Sequence, residues 1–150
     1  MPADTILIYR LTPVQIALIN RLAASDGIAM DGLTYPDLVA HQELEKLGFA
    51  EMRVGPRKKI KVVITDQGLQ VRAAGYISKK PVVRLTAPQF LALRFLAERP
   101  RHFNDIPAQM KDTVRRLRLR GWATGEEDAE GLFWTVLTVE GWELLKLLDY

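Results

Sequence analysis

The sequence predicts an α+β protein built from two copies of one unit, residues 1–75 and 76–150. Three observations carry that expectation. The chain repeats itself internally, helix-start signals fall at matching places in both copies, and each copy encloses paired β-like runs between helical ones. Ile8-Tyr9-Arg10-Leu11-Thr12 returns as Val82-Val83-Arg84-Leu85-Thr86, 74 positions on, and the same offset matches Gln15 with Gln89, Leu22 with Leu96 and Ala23 with Ala97. After a one-residue deletion the offset is 73. It then matches Leu44 with Leu117, Gly48-Phe49-Ala50 with Gly121-Trp122-Ala123, and Val63, Thr65 and Gly68 with Val136, Thr138 and Gly141. The copies join between Gly75 and Lys80.

Each copy opens on a short β-like run, Thr5–Tyr9 and Pro81–Leu85. Thr12-x-x-Gln15 and Thr86-x-x-Gln89 are capping boxes, in which the two side chains satisfy each other's orphan backbone donors. Pro13 and Pro88 sit in the first turn, where a missing N–H costs nothing. Ile16, Ile19 and Leu22, and then Phe90, Leu93, Leu96 and Ala97, recur at helical spacing. A second helix is expected after N-caps at Thr34 and Asp105, each followed by a first-turn proline, ending at Gly48 and Gly121 as left-handed C-terminal residues. Two β-runs then make a hairpin, Ala50–Val54 with Ile60–Ile64 and Trp122–Thr124 with Leu132–Leu137. Thr65 and Thr138 cap the last helices, expected over Asp66–Ala74 and Val139–Asp149.

Strand, helix, short link, helix, hairpin, helix is the order of a winged helix. The chain resembles the MarR-like branch of winged helix-turn-helix regulators. Leu11-Thr12-x-x-Gln15, Leu44-Glu45-Lys46-Leu47-Gly48-Phe49 and Val63-Ile64-Thr65-x-x-Gly68 carry the resemblance in the first copy. Leu85-Thr86-x-x-Gln89, Leu117-Arg118-Leu119-Arg120-Gly121-Trp122 and Val136-Leu137-Thr138-x-x-Gly141 echo them in the second. The resemblance implies tandem winged-helix domains. One departure stands out, because only Ala24–Leu33 and Arg99–Asn104 separate the first two helices of each copy. At about 3.6 residues per turn these links hold roughly one turn. The helix that rests on the DNA backbone in such domains is therefore expected to be abbreviated or absent.

Composition bounds the function classes. The 150 residues are 48% hydrophobic and 26% charged, as in a protein with a packed core. Twenty-one basic against 18 acidic residues leave +3, which by itself names no polyanionic partner. With no cysteine there are no disulfides, thiolate metal sites or cysteine nucleophiles. Apolar runs fall short of the ~18 residues a membrane span needs. Met1-Pro2-Ala3-Asp4 lacks the basic start of a secretory signal. A soluble cytoplasmic protein without a membrane partner is expected. His41 and His102 stand alone in their copies, with no Ser-His-Asp set, metal pair or phosphate-cradling glycine loop. No enzyme activity, metal or cofactor is expected.

The charges are sorted within each copy. The first hairpin tip carries Arg53, Arg57, Lys58, Lys59 and Lys61 with no acid, behind a helix bearing Asp37, Glu43 and Glu45. In the second copy the helix is basic, with Lys111, Arg115, Arg116, Arg118 and Arg120 against Asp112, and the tip is acidic, with Glu126, Glu127, Asp128 and Glu130. Met110, Val114 and Leu117 share the core face of that helix, and Lys111, Arg115 and Arg118 an adjacent stripe. The leading reading is a non-enzymatic protein that binds double-stranded DNA, in the role of a transcriptional regulator, with the basic helix and basic wing on phosphates. Solvated faces are the plain alternative. A protein–protein adaptor, or self-association of the oppositely charged surfaces, is the functional alternative. Gly125 and Gly131 are read as turn residues, and Trp122 and Trp142 as core residues replacing Phe49 and Leu69. Trp134, aligned with Lys61, is the interface candidate, with a core position as the other option.

Overall fold

The computed structural model describes residues 5–148 and has a mixed α and β architecture of helices and small sheets. The chain forms two compact units: Leu7–Val83, and a second that runs from Arg84 and also takes in Thr5 and Ile6. Segment 76–82, assigned by the repeat to the second copy, hydrogen-bonds along the start of the first unit. Leu11 N–H donates to Tyr76 O, Ser78 N–H to Tyr9 O and Val82 N–H to Ile8 O. Those backbone bonds hold it there.

In chain order, residues 5–73 run β1 (Thr5–Ile8), α1 (Pro13–Ala23), β2 (Ile28–Ala29), a 3-10 turn (Met30–Gly32), α2 (Tyr35–Leu47), β3 (Ala50–Val54), β4 (Ile60–Ile64) and α3 (Asp66–Ala73). Residues 83–148 repeat the order with β5 (Val83–Thr86), α4 (Ala87–Glu98), β6 (Arg101–His102), a 3-10 turn (Phe103–Asp105), α5 (Ala108–Arg120), β7 (Ala123–Glu127), β8 (Phe133–Leu137) and α6 (Val139–Leu148). Each hairpin is joined, on the free edge of its second strand, by the two-residue strand of the preceding link, giving antiparallel sheets β2-β4-β3 and β6-β8-β7. The links therefore hold a strand and one 3-10 turn, and no α-helix.

The repeat is visible in register as well as in order. Ala50 pairs with Ile64 and Ala123 with Leu137, Ile28 with Val62 and Arg101 with Thr135, at one offset of 73 throughout. Thr65 Oγ1 donates to Gly48 O at 2.6 Å and Thr138 Oγ1 to Gly121 O at 2.8 Å, tying each last helix to the end of the helix before the hairpin. Both capping boxes form at Thr12/Gln15 and Thr86/Gln89. Gly48 and Gly121 take the left-handed conformation with φ of 85° and 89°. In the first unit Leu18, Ile19 and Leu22 of α1 pack with Ala40, Leu44, Phe49, Val62 and Val71. In the second, Leu93, Leu96, Val114, Leu117, Trp122 and Leu144 are buried.

Several expectations are corrected. Asp105 closes the 3-10 turn, and α5 starts after Pro107 with no side-chain cap. The second hairpin is longer than expected on its first strand, because Glu126 and Glu127 pair with Trp134 and Phe133 and so belong to β7. Gly125 is a strand residue: a Cβ there would overlap the Cζ edge of the Phe133 ring, so the bare backbone is what seats that ring. Gly131, at φ 78°, does serve the turn. Trp122 is buried like Phe49, but Trp142 and Leu69 are 44% and 45% exposed and line no core. Tyr9 and Ala74 fall just outside their expected elements. Asp149, the expected end of α6, and Met1–Asp4 lie outside the described residues.

Candidate nucleic-acid interface

Helix α5 holds five of the basic residues singled out above, and they fall into two sets. Its buried face is Val114 and Leu117, with Met110 half-buried. Lys111 and Arg118 flank that face and are braced on aromatic rings. Lys111 Nζ lies 3.7 Å from the centroid of Phe103, and the Arg118 guanidinium 5.3 Å from that of Phe133. Burial, and then the charge of Arg115, hold the Arg118 guanidinium below its ordinary value. Arginine keeps its proton at neutral pH all the same. Arg115 and Arg116 are exposed, and both bind Asp112, the acid one turn earlier. Arg120, at the C-terminal end, is half-buried with its guanidinium 6.0 Å from the Trp122 ring.

Phe103 and Phe133 are functional candidates that sequence reasoning missed. Both are supplied by tertiary neighbours, one by the 3-10 turn and one by β8. A ring under a cation limits its rotamers without neutralising its charge, so the ammonium or guanidinium stays available to an anion.

The first hairpin carries the second basic group. Arg57, Lys58 and Lys59 are exposed around the tip, which is closed by Gly55 N–H donating to Lys59 O at 2.7 Å. Arg57 and Lys58 adopt left-handed backbone at φ 61° and 57°, at a cost of roughly 1–2 kcal/mol per residue for L-amino acids. Arg53 and Lys61 are cross-strand partners on one face. Arg53 is paired with Glu51, whose carboxylate lies 2.8 Å away, so the tip is less purely cationic than residues 53–61 suggest. The opposite face is apolar: Ala50 and Val62 on it are buried in the core, and its outer end is open, with Val54 paired to Ile60 and both exposed alongside Met52.

The acids of the first unit's α2 are engaged internally. Asp37 holds Arg21 at 3.0 Å and closes a capping box with Thr34; Glu43 accepts from Gln15 Nε2; Glu45 lies 3.7 Å from His41 Nε2. His41 is buried, and its Nδ1 has no partner among the described residues. His102 Nδ1 accepts from Asn104 N–H, and its ring sits edge-on to Trp134 at 5.2 Å. The Trp134 indole N–H donates to Asp128 Oδ2 at 2.8 Å, so this half-buried side chain braces its own hairpin tip. That bond comes first, with backbone donors from Leu132 and Glu130, in holding the Asp128 carboxyl below the usual carboxylate range.

A cleft of about 260 Å³ in the first unit is lined by Leu47, Phe49, Val71 and Ile77 together with Lys79 and Lys80. It is below the ~300–1,000 Å³ typical of ligand sites. Among the described residues no group of three or more His, Asp or Glu side chains could hold a metal ion. No helix among them is long and apolar enough to cross a membrane. No protein family, curated protein or solved structure matches the chain.

Proposed function

We propose that the protein is a non-enzymatic binder of double-stranded DNA, built from two abbreviated winged-helix units and suited to transcriptional regulation. The observation that carries this reading is α5. One helix sets Lys111, Arg115, Arg116 and Arg118 beside a single acid, two of them braced on rings and two exposed. Cations held this way on a helix suit phosphate contacts beside a major groove. The three-stranded sheets, with a short third strand completing each hairpin, support the winged-helix assignment. Arg57, Lys58 and Lys59 would serve as the wing's phosphate contacts.

A protein-binding role is the second reading, favoured by the open apolar face Met52, Val54 and Ile60 beside the basic tip. Titration into a fluorescent random-sequence duplex of about 30 base pairs at several salt concentrations separates the two. Duplex binding should weaken steeply with salt, by about 0.9 in log–log slope per phosphate neutralised. Arg115→Glu with Arg116→Glu should flatten that slope by about 2 and lower the thermal melt by only a few degrees, since exposed helix pairs of this spacing contribute about 0.3–0.5 kcal/mol each. Arg118 is a poorer choice because it is partly buried against Phe133. No binding at low salt, or binding indifferent to both reversals, would refute the DNA reading and leave the adaptor.

A further inference from the structure

The acid on α5 is the feature that phosphate binding alone leaves unexplained. A carboxylate on an exposed face that is to meet DNA repels the polyanion, yet Asp112 sits in the middle of that face. Gln109, Asp112 and Arg116 fall at i, i+3 and i+7, so they share one side of the helix, and all are exposed, as is Arg115. Gln109 and Asp112 lie in the first turns of α5, the part of a recognition helix that reaches base edges.

The hydrogen bonds divide the two carboxylate oxygens between the two arginines. Arg115 donates from Nε at 3.2 Å and Nη2 at 2.7 Å to Oδ1; Arg116 donates from Nε alone, at 3.1 Å, to Oδ2. Arg116 thus spends on Asp112 the one donor that its terminal fork does not need. The pair of Nη groups is the fork that matches guanine O6 and N7. A long side chain held by its Nε also has fewer rotamers to surrender on binding. Lys111 and Arg118, braced on rings to the side, are left to phosphates.

We infer that α5 reads sequence as well as charge: Arg116 recognises a guanine through its terminal fork, and Asp112 is the positioning residue that aims it. The inference rests on the DNA reading above and gives it a base preference. Asp112 costs non-specific attraction and returns discrimination, so the two should move in opposite directions when it is altered.

The test is selection of bound sequences from a random duplex library, read beside affinity for an unselected duplex, with the wild type, Asp112→Asn and Arg116→Lys. The wild type should select guanine at one position, by about 10- to 100-fold over other bases. Asp112→Asn accepts less and carries no charge. It should bind unselected duplex as tightly or tighter, while its guanine preference falls to a few-fold. Arg116→Lys keeps the charge and loses the fork, so the salt slope should hold while the preference disappears. Thermal melts of both variants should match the wild type, since both sites are exposed. An undiminished preference in Asp112→Asn overturns the positioning role, and one in Arg116→Lys overturns the guanine assignment. Duplex binding with no base preference in the wild type overturns the inference and leaves the DNA reading standing. No duplex binding at all takes down both.

Discussion

Gly68 and Gly141 provide the sharpest test of how each unit is held together. Both are buried in the first turn of helices, α3 and α6, where replacing glycine by alanine ordinarily stabilises, by up to the roughly 1 kcal/mol of a helix interior. Here the opposite is expected. A Cβ on Gly68 would overlap the carbonyl oxygen of Phe49 and lie 2.7 Å from Ile64 Cγ1; one on Gly141 would overlap the carbonyl oxygen of Trp122 and lie 3.2 Å from Leu137 Cδ2. The obstructing atoms are backbone, and they are pinned: Phe49 O accepts from Thr65 N–H and Trp122 O from Thr138 N–H, both at 3.1 Å. The helix cannot rise from this seat without stretching those bonds and the Thr65 and Thr138 hydroxyl bonds to Gly48 and Gly121. Overpacking costs ~1–3 kcal/mol, and a seat this rigid belongs at the upper end. Subtracting the helix-propensity gain leaves about 2 kcal/mol of net loss for Gly68→Ala and for Gly141→Ala. In a unit of 60–100 residues each kcal/mol moves the midpoint by about 4–8 °C, so Tm should fall by roughly 8–16 °C. Circular dichroism melts of the two single variants read this directly. A rise in Tm for either alanine would show that helix propensity outweighs the close approach and would refute the packing argument.

Two further outcomes concern single carboxylates. Asp37 is desolvated, which raises its affinity for a proton, but bonds from Arg21 and Thr34 outweigh that and hold it below its ordinary 3.8. Because its folded value is depressed, its stabilisation is complete above about pH 5, where the unfolded carboxyl is fully ionised, and drains as pH falls through the folded value. Acid melts should therefore show the advantage of the wild type over Asp37→Asn shrinking between about pH 5 and pH 2; a constant gap would sink the argument. At the second tip, Trp134→Phe removes the indole donor to Asp128, so the Asp128 carboxyl should titrate higher by NMR while the sedimentation behaviour is unchanged. An unmoved titration would mean the indole bond does not form in solution, and altered sedimentation would make Trp134 an interface residue.

Features set by neighbours in the chain were legible from residues alone. Thr12-x-x-Gln15 and Thr86-x-x-Gln89 close boxes over three residues, Gly48 and Gly121 end helices locally, and Ala50–Val54 pairs with Ile60–Ile64 over a short turn. The repeat multiplied that information, since each local signal occurs twice in register. Where local and distant forces competed, reading failed. Asp105 has the chemistry of an N-cap, but the 3-10 turn ahead of Pro107 uses it first. Glu126 and Glu127 look like loop residues until Trp134 and Phe133 stand opposite them. Trp142 has the size of a core residue and sits on an outer face of α6.

The candidate interface divides along the same line. That α5 is basic and amphipathic, and that the first hairpin tip is cationic, follow from composition and a 3.6-residue period, which need no knowledge of distant partners. Folding decides which cations are braced on rings, which acids of α2 are already engaged, and that Arg101 turns inward to cap α4. That guanidinium is buried, donating to Phe95 O at 3.2 and 3.1 Å and to Glu98 at 2.7 Å. A side chain's exposure and orientation depend on which groups the fold brings within a few ångströms, and strand pairing brings together residues that no spacing along the chain connects.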